Sequence, residues 1–125
     1  MKETVSTPSA PAAIGPYSQG IDAGAFVFVS GQLPVDPATG DIPDGAAAQA
    51  ERAFANVLAI LAAAGLGPER VVKTTVFLAD LADFAVVNDA YARAFPAPCP
   101  ARSCVQVAAL PRGVRLEVEA IAARG

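Results

Sequence analysis

Pro100-Ala101-Arg102-Ser103-Cys104-Val105-Gln106-Val107, followed after Leu110-Pro111-Arg112-Gly113 by Leu116-Glu117-Val118-Glu119, is the stretch on which the reading of this chain turns. The alternation of side chains predicts two β-strands joined as a hairpin. In the first strand Arg102, Cys104 and Gln106 share one face, and Ser103, Val105 and Val107 share the other. In the second, Arg115, Glu117 and Glu119 oppose Val114, Leu116 and Val118. A turn with an even number of residues brings the two polar-bearing faces together and sets Glu117 across from Cys104 or Arg102, with the register left open. Arginine is the side chain best shaped to hold a carboxylate, because its planar fork donates two parallel hydrogen bonds. A glutamate beside it moves protons or aims a water. A carboxylate anchor next to an acid/base is a minimal kit for chemistry on a small organic acid.

Outward from this stretch, the chain reads as alternating strands and helices. Residues up to about Pro16 are rich in proline, serine and alanine and are expected to lie extended on the surface. Gly20-Ile21-Asp22-Ala23-Gly24 reads as a short strand running into a turn, and Phe26–Gln32 as a strand apolar on both faces, hence central. Asp36–Asp41 is loop punctuation. Asp44 is placed to cap a helix reaching about Ala64, with Gly65 as its left-handed stop and Phe54, Val57, Leu58 and Leu61 as its buried stripe. Val71–Leu78, β-branched and aromatic, predicts a strand. Asp80 caps a second helix over roughly Leu81 to Phe95, ended by Pro96 and Pro98. The order of elements predicts one α/β domain spanning residues 1–125, with helices packed on a mixed sheet.

Composition narrows the function classes. Hydrophobic residues make up 54% of the 125 and charged ones 17%, ample for a core and apolar enough to suggest burial against another copy. Much of that surplus is alanine. Glu51, Arg52 and Asn56 interrupt the alanine-rich stretch, so no membrane span is expected, and the N-terminus lacks a signal peptide's apolar run. A cytoplasmic protein is the expectation. A net charge of −3 argues against a general nucleic-acid binder. There is no histidine, which removes the usual Cys/His zinc site and any imidazole-based triad. A disulfide between Cys99 and Cys104 is not expected in a reducing compartment.

Several other residues are candidates for a site, each with a plainer reading beside it. Arg102 and Glu117, taken singly, read equally as surface charges or ion-pair partners. Asn88 lies on the stripe of Phe84, Tyr91 and Phe95 and needs a partner, since an unpaired buried amide costs about 1–3 kcal/mol. It either ties the helix to a neighbouring backbone or lines a pocket. Tyr17, after Gly15-Pro16, is a core aromatic or projects its hydroxyl into a cavity. Ser30-Gly31 marks a bend or brings backbone N–H groups close to a ligand. Cys104 has nothing histidine-like to activate it, so a structural thiol is the expectation. No phosphate-binding or dinucleotide glycine pattern is present.

Together these motifs resemble one family. Ala13-Ile14-Gly15-Pro16-Tyr17-Ser18-Gln19-Gly20, Val29-Ser30-Gly31-Gln32-Leu33-Pro34-Val35-Asp36-Pro37, Asn56-Val57-Leu58, Ala64-Gly65-Leu66 and Val72-Lys73-Thr74-Thr75-Val76-Phe77-Leu78 occur in order. Asp83-Phe84-Ala85-Val86-Val87-Asn88, Pro100-Ala101-Arg102-Ser103-Cys104-Val105 and Glu117-Val118-Glu119-Ala120 follow. The chain is similar over nearly its whole length to the RidA (YjgF-type) enamine/imine deaminases. That resemblance implies a chorismate-mutase-like α/β fold, two helices on one face of the sheet, and a homotrimer with pockets between subunits. It implies cofactor-free and metal-free hydrolysis of reactive 2-imino and 2-enamino acids, such as 2-aminoacrylate, to 2-keto acids and ammonia. Arg102 would hold the substrate carboxylate with help from the backbone around Cys104, Glu117 would handle the water, and Tyr17, Ser30, Gly31 and Asn88 would line the pocket. The segment Ala94–Pro100 is shorter and richer in proline than the family pattern, and Cys99 departs from it, which bears on the pocket mouth.

Two other readings use the same residues. A trimeric module that binds keto acids and regulates or protects a partner needs Arg102 but gains little from the negative charge of Glu117. A nuclease or translation inhibitor, suggested for some relatives, sits poorly with a sequence pI of 4.7 and the missing histidine.

Overall fold

Val71–Leu78 (β4) forms as expected and becomes the organising strand of a six-stranded sheet in the computed structural model, which describes residues 2–125. The other strands are Glu3–Val5 (β1), Gly20–Asp22 (β2), Phe26–Gln32 (β3), Ala101–Gln106 (β5) and Leu116–Ala123 (β6). Their order across the sheet is β1-β2-β3-β6-β4-β5. Two helices, Ala46–Ala63 (α1) and Phe84–Ala94 (α2), pack on one face.

The expected hairpin of β5 and β6 is not what forms. β4 lies between them, pairing in parallel with β5 and antiparallel with β6. The physical reason is α2: a strand, a helix and a strand in succession make a crossover unit, whose two strands run parallel. β6 then enters between β3 and β4, where both its edges are satisfied.

This arrangement decides which side chains meet. Thr74 of β4 stands beside Arg102 and Ala120, Val76 beside Cys104 and Val118, and Leu78 beside Gln106 and Leu116. All of these face the helices, where Val27, Val29, Val76, Leu78, Val118 and Ala122 join Phe54, Val57, Ile60 and Leu61 of α1 and Val87 and Tyr91 of α2 in one core. The predicted stripe of α1 holds at Phe54, Val57 and Leu61, while Leu58 is only partly buried and Ile60 takes the deeper place. The opposite face carries Phe26, Phe28, Lys73, Thr75, Phe77, Ser103, Val105, Glu117, Glu119 and Ile121. No helix covers it, and Phe28 is 45% exposed. β3 is therefore apolar on both faces and interior to the sheet, as expected, with only one face covered within the chain.

The helix ends show where local signals held. Gly65 (φ 79) closes α1: its N–H bonds the carbonyl of Ala62 while that of Leu66 bonds Leu61, the paired bonds of a left-handed helix stop. At the other end Asp44 does not cap. Gly45 (φ 88) takes the N-cap position with no side-chain bond, and Gln49 Nε2 instead donates to the carbonyl of Pro43 at 3.0 Å. Asp80 does cap, accepting from the N–H of Ala82, but the first turn after it is a 3-10 turn over Leu81–Asp83 and the α-helix begins at Phe84. The N-terminal stretch is not wholly irregular: Glu3–Val5 pairs with β2. The following residues are held by Gln19, buried, whose amide bonds the backbone of Thr7, Ala10 and Pro11. No helix among the described residues is long and apolar enough to cross a membrane.

Candidate active site

Arg102 sits on β5, the strand at the edge of the sheet, and its side chain lies along α2. Its Nη1 donates to Asn88 Oδ1 at 2.7 Å, and its guanidinium lies 4.7 Å from the centroid of the Tyr91 ring and 5.5 Å from that of Phe84. Phe84, Asn88 and Tyr91 are spaced i, i+4, i+7, so one helix face supplies two aromatic surfaces with an amide between them. Asn88 thus has a partner that its placement on the apolar stripe demanded, and that partner is the guanidinium rather than a backbone. Most of the N–H donors of Arg102 remain free for an acceptor such as a carboxylate. Because β5 has β4 on one side only, alternate backbone N–H groups along it also point outward.

Cys104, two residues on, shares this face and is half-buried against the core. Burial pushes its thiol pKa up, with the Arg102 cation pulling the other way. A thiol so placed is poorly suited to act as a thiolate nucleophile, in line with the structural role expected of it. Cys99 is exposed, and both cysteines are free.

Glu117 is not across from either residue. It pairs with Phe77, which pairs with Val105, and so points to the open face of the sheet, opposite to Arg102. Two strand spacings and three residues along the strand put its Cα about 14 Å from that of Arg102. The expected meeting of the two polar faces fails because β4 separates the strands and a shift of three residues along the strand changes face.

Glu117 has its own surroundings. The pairing of β3 with β6 slips between Val29 and Gln32, and Ser30 and Gly31 occupy the irregularity. There Gly31 lets the Glu117 carboxylate rest against the backbone: a Cβ at Gly31 would stand 2.0 Å from Glu117 Oε2. This is the close approach for which a glycine within a strand is needed. Desolvation raises the Glu117 pKa, and the neighbouring Glu119 charge adds to the effect. Glu117 takes part in none of the chain's ion pairs among the described residues.

Ser30 bonds the preceding segment, its hydroxyl donating to the Ser18 carbonyl at 2.6 Å and its N–H to that of Gln19 at 2.9 Å. Tyr17 is not a core aromatic: it is 53% exposed, with its hydroxyl accepting a long 3.4 Å bond from the N–H of Ile14. Tyr17 and Gly31 line a cavity of about 250 Å³ with Gln32, Leu33 and Arg112. A larger open groove of about 570 Å³, lined by Asp36, Asp41, Glu51 and Arg52 among others, touches none of the candidate residues.

The structure therefore gathers the candidates into two groups. Arg102, Asn88 and Cys104 form one on the helix face of the sheet edge; Tyr17, Ser30, Gly31 and Glu117 form another around the bulge of β3. Sequence reasoning did not assign the aromatic support of Arg102. The signal was present in the flanking of Asn88 by Phe84 and Tyr91 on one helix face.

Comparison with known proteins gives this geometry its context. The sequence model of the family described as endoribonuclease L-PSP matches residues 7–124. A protein of Escherichia coli (strain K12) named 2-iminobutanoate/2-iminopropanoate deaminase is 54% identical over 127 residues, covering 99% of both chains. The crystal structure of E. coli TdcF with bound serine superposes with a TM-score of 0.95 at 51% identity, covering 98% of this chain and 99% of that one. RidA from the Antarctic bacterium Psychrobacter sp. PAMC 21119 does so with a TM-score of 0.94 at 48% identity and the same coverage. Matched from Thr7 almost to its end, the chain belongs to the RidA (YjgF-type) family.

Proposed function

We propose that this protein is a 2-iminobutanoate/2-iminopropanoate deaminase, hydrolysing small 2-imino and 2-enamino acids to 2-keto acids and ammonia, without cofactor or metal, in the cytoplasm. The observation that carries the reading is a guanidinium with free donors held on aromatic rings, in the same chain as a glutamate seated on a glycine and outside every ion pair among the described residues. The name of the E. coli relative supports the same reaction.

The chemistry asks little of the protein. Arg102 holds the substrate carboxylate, a charge-assisted contact contributing about 1.5–3 kcal/mol, and exposed backbone N–H groups near Cys104 complete the clamp. Glu117 accepts a proton from water as the water oxygen bonds to the imine carbon and the C=N electron pair moves to nitrogen. Glu117 returns that proton to the nitrogen to give the carbinolamine. It then takes the hydroxyl proton and passes it to the nitrogen, so that the C–N bond breaks, ammonia leaves and the hydroxyl oxygen becomes the keto oxygen. Positioned proton transfer of this kind contributes about 10²–10⁴-fold. A carboxylate whose pKa is raised by burial is a stronger base than an exposed one.

In one chain Arg102 and Glu117 lie on opposite faces of the sheet, so a site using both is built between copies. We take the assembly to be the chorismate-mutase-like homotrimer, each site joining the Arg102 group of one copy to the Glu117 group of the next. The uncovered face bearing Phe26, Phe28 and Val105 is the apolar surface that such an assembly buries.

The test is a coupled assay in which an amino-acid oxidase or a serine/threonine dehydratase generates imines in situ. Wild type is expected to accelerate imine loss, and Arg102→Ala and Glu117→Ala, folded and assembled, are not. A folded wild type that accelerates no small aliphatic imine overturns the proposal and leaves a carboxylate-binding module.

A further inference from the structure

Thr74 is the one polar residue among the side chains that β4 turns toward the helices, where Val76 and Leu78 are its neighbours. It is fully buried, and its hydroxyl is 2.7 Å from that of Tyr91, itself only 6% exposed. Each hydroxyl answers the other, and no buried polar side-chain atom among the described residues is left without a partner. A valine in place of Thr74 would fill the same space without a polar group to satisfy, so packing alone gives no reason for the pair.

The reason lies one strand away. Thr74 is the cross-strand neighbour of Arg102, and Tyr91 lies beneath the Arg102 guanidinium. Three links therefore close a triangle: the β4–β5 ladder joins Arg102 to Thr74, the hydroxyl bond joins Thr74 to Tyr91, and the cation over the ring joins Tyr91 to Arg102. A tyrosine ring fixed only by packing can rock about its side-chain torsions; one tied at its oxygen to the strand beside Arg102 cannot. Edge-to-face contact with Phe54 (5.6 Å between centroids, 85° between planes) steadies the other side of the ring.

We infer that Thr74 and Tyr91 are positioning residues, a buried hydroxyl pair that holds the ring in register with β5 and so presets the Arg102 fork for the substrate carboxylate. The inference rests on the reading of Arg102 as the carboxylate anchor and adds two residues that touch no reacting atom. Presetting a flexible side chain acts on binding, because the ordering is done before the ligand arrives.

The test compares Thr74→Val, Tyr91→Phe and the double variant. Each single substitution leaves a buried hydroxyl without its partner, so both lower the melting temperature. The double removes both hydroxyls and recovers stability, since a pair of polar groups replaced together is nearly neutral. The positioning tie stays broken in the double, so its KM for the imino acid is expected to remain raised by roughly 3–10-fold with kcat within about twofold. Titration calorimetry with 2-ketobutanoate, with Arg102→Ala as the blank, should show the same weakening. A double variant with wild-type KM and wild-type keto-acid affinity overturns the inference and leaves the pair a purely structural one. If wild type binds 2-ketobutanoate through Arg102 yet hydrolyses no imine, it is the deaminase proposal that fails, and the calorimetric comparison still decides the role of Thr74 and Tyr91.

Discussion

Gly31→Ala is the substitution whose effect can be worked most closely from the structure. The new Cβ would stand 2.0 Å from Glu117 Oε2, 2.9 Å from Cδ and 3.3 Å from Cγ. Ordinary contact begins near 3.4 Å, so the carboxylate has to retreat by about 1.4 Å. It is the far end of a flexible side chain on a sheet face that no helix of the chain covers, so the retreat is possible without moving backbone. Replacing glycine by alanine within a strand is itself favourable by about 0.5–1 kcal/mol, which offsets a changed Glu117 rotamer at about 0.5–1.5 kcal/mol. The melting temperature should therefore change little. Catalysis should not be spared, because a displacement on the order of 1 Å in a group that positions a reactant costs about 10²-fold. In the imine-hydrolysis assay kcat is expected to fall about 10²-fold, with KM nearly unchanged because Arg102 and its supports are not touched.

A double-mutant cycle sharpens this test. If Gly31 acts only by giving Glu117 its place, Gly31→Ala added to Glu117→Ala removes nothing further. A folded Gly31→Ala variant with wild-type kcat would refute the argument that the seat of this carboxylate matters.

The raised pKa of Glu117 makes two linked predictions. A base has to be deprotonated, so kcat/KM should fall on the acid side at a higher pH than for an exposed glutamate, and Glu119→Gln, which removes the like charge, should move that limb to lower pH. A carboxyl group whose pKa is raised by folding costs stability as pH rises through its unfolded and then its folded value; Glu117→Gln should thus melt higher than wild type at neutral pH and not at acid pH. An acid limb that Glu119→Gln moves to higher pH would remove Glu117 as the titrating base, since losing a neighbouring negative charge can only lower its pKa. Cys104→Ala should retain more than about half of kcat, since burial disfavours the thiolate and the proposed clamp there is backbone; a loss comparable to that of Arg102→Ala would make the thiol itself a participant.

The parts of this fold that the sequence made legible are those fixed locally. The β-branched run of β4, the Phe54-Val57-Leu61 stripe of α1 and the Gly65 stop each follow from torsional preference and helical period over a few residues. Strand partnership is a non-local property, and alternation reports only which residues share a face. β5 and β6 are adjacent in sequence and each alternates, so they look like a hairpin; the α2 crossover and the insertion of β6 between β3 and β4 take that pairing away. The crossover was legible in principle, because a strand, a helix and a strand imply a parallel pair. β1, a bare three-residue edge, had no pattern long enough to read.

The site followed the same division. Residue types were readable: a guanidinium, a carboxylate, an amide on an apolar stripe and a glycine at a strand irregularity. Their relation in space was not, because it depends on the sheet order, and the structure sets Arg102 and Glu117 on opposite faces. The hydroxyl pair of Thr74 and Tyr91 was hidden for the same reason, since it joins a strand to a helix seventeen residues on.

Subunit mixing tests the central claim most directly. Arg102→Ala and Glu117→Ala chains, each inactive alone, would be co-refolded in equal amounts with different tags, and the mixed assemblies isolated. If each site takes Arg102 from one copy and Glu117 from the next, every mixed trimer holds one intact site in three, and about a third of the wild-type rate should return. Mixed assemblies that regain no activity would contradict a site shared between copies of this chain.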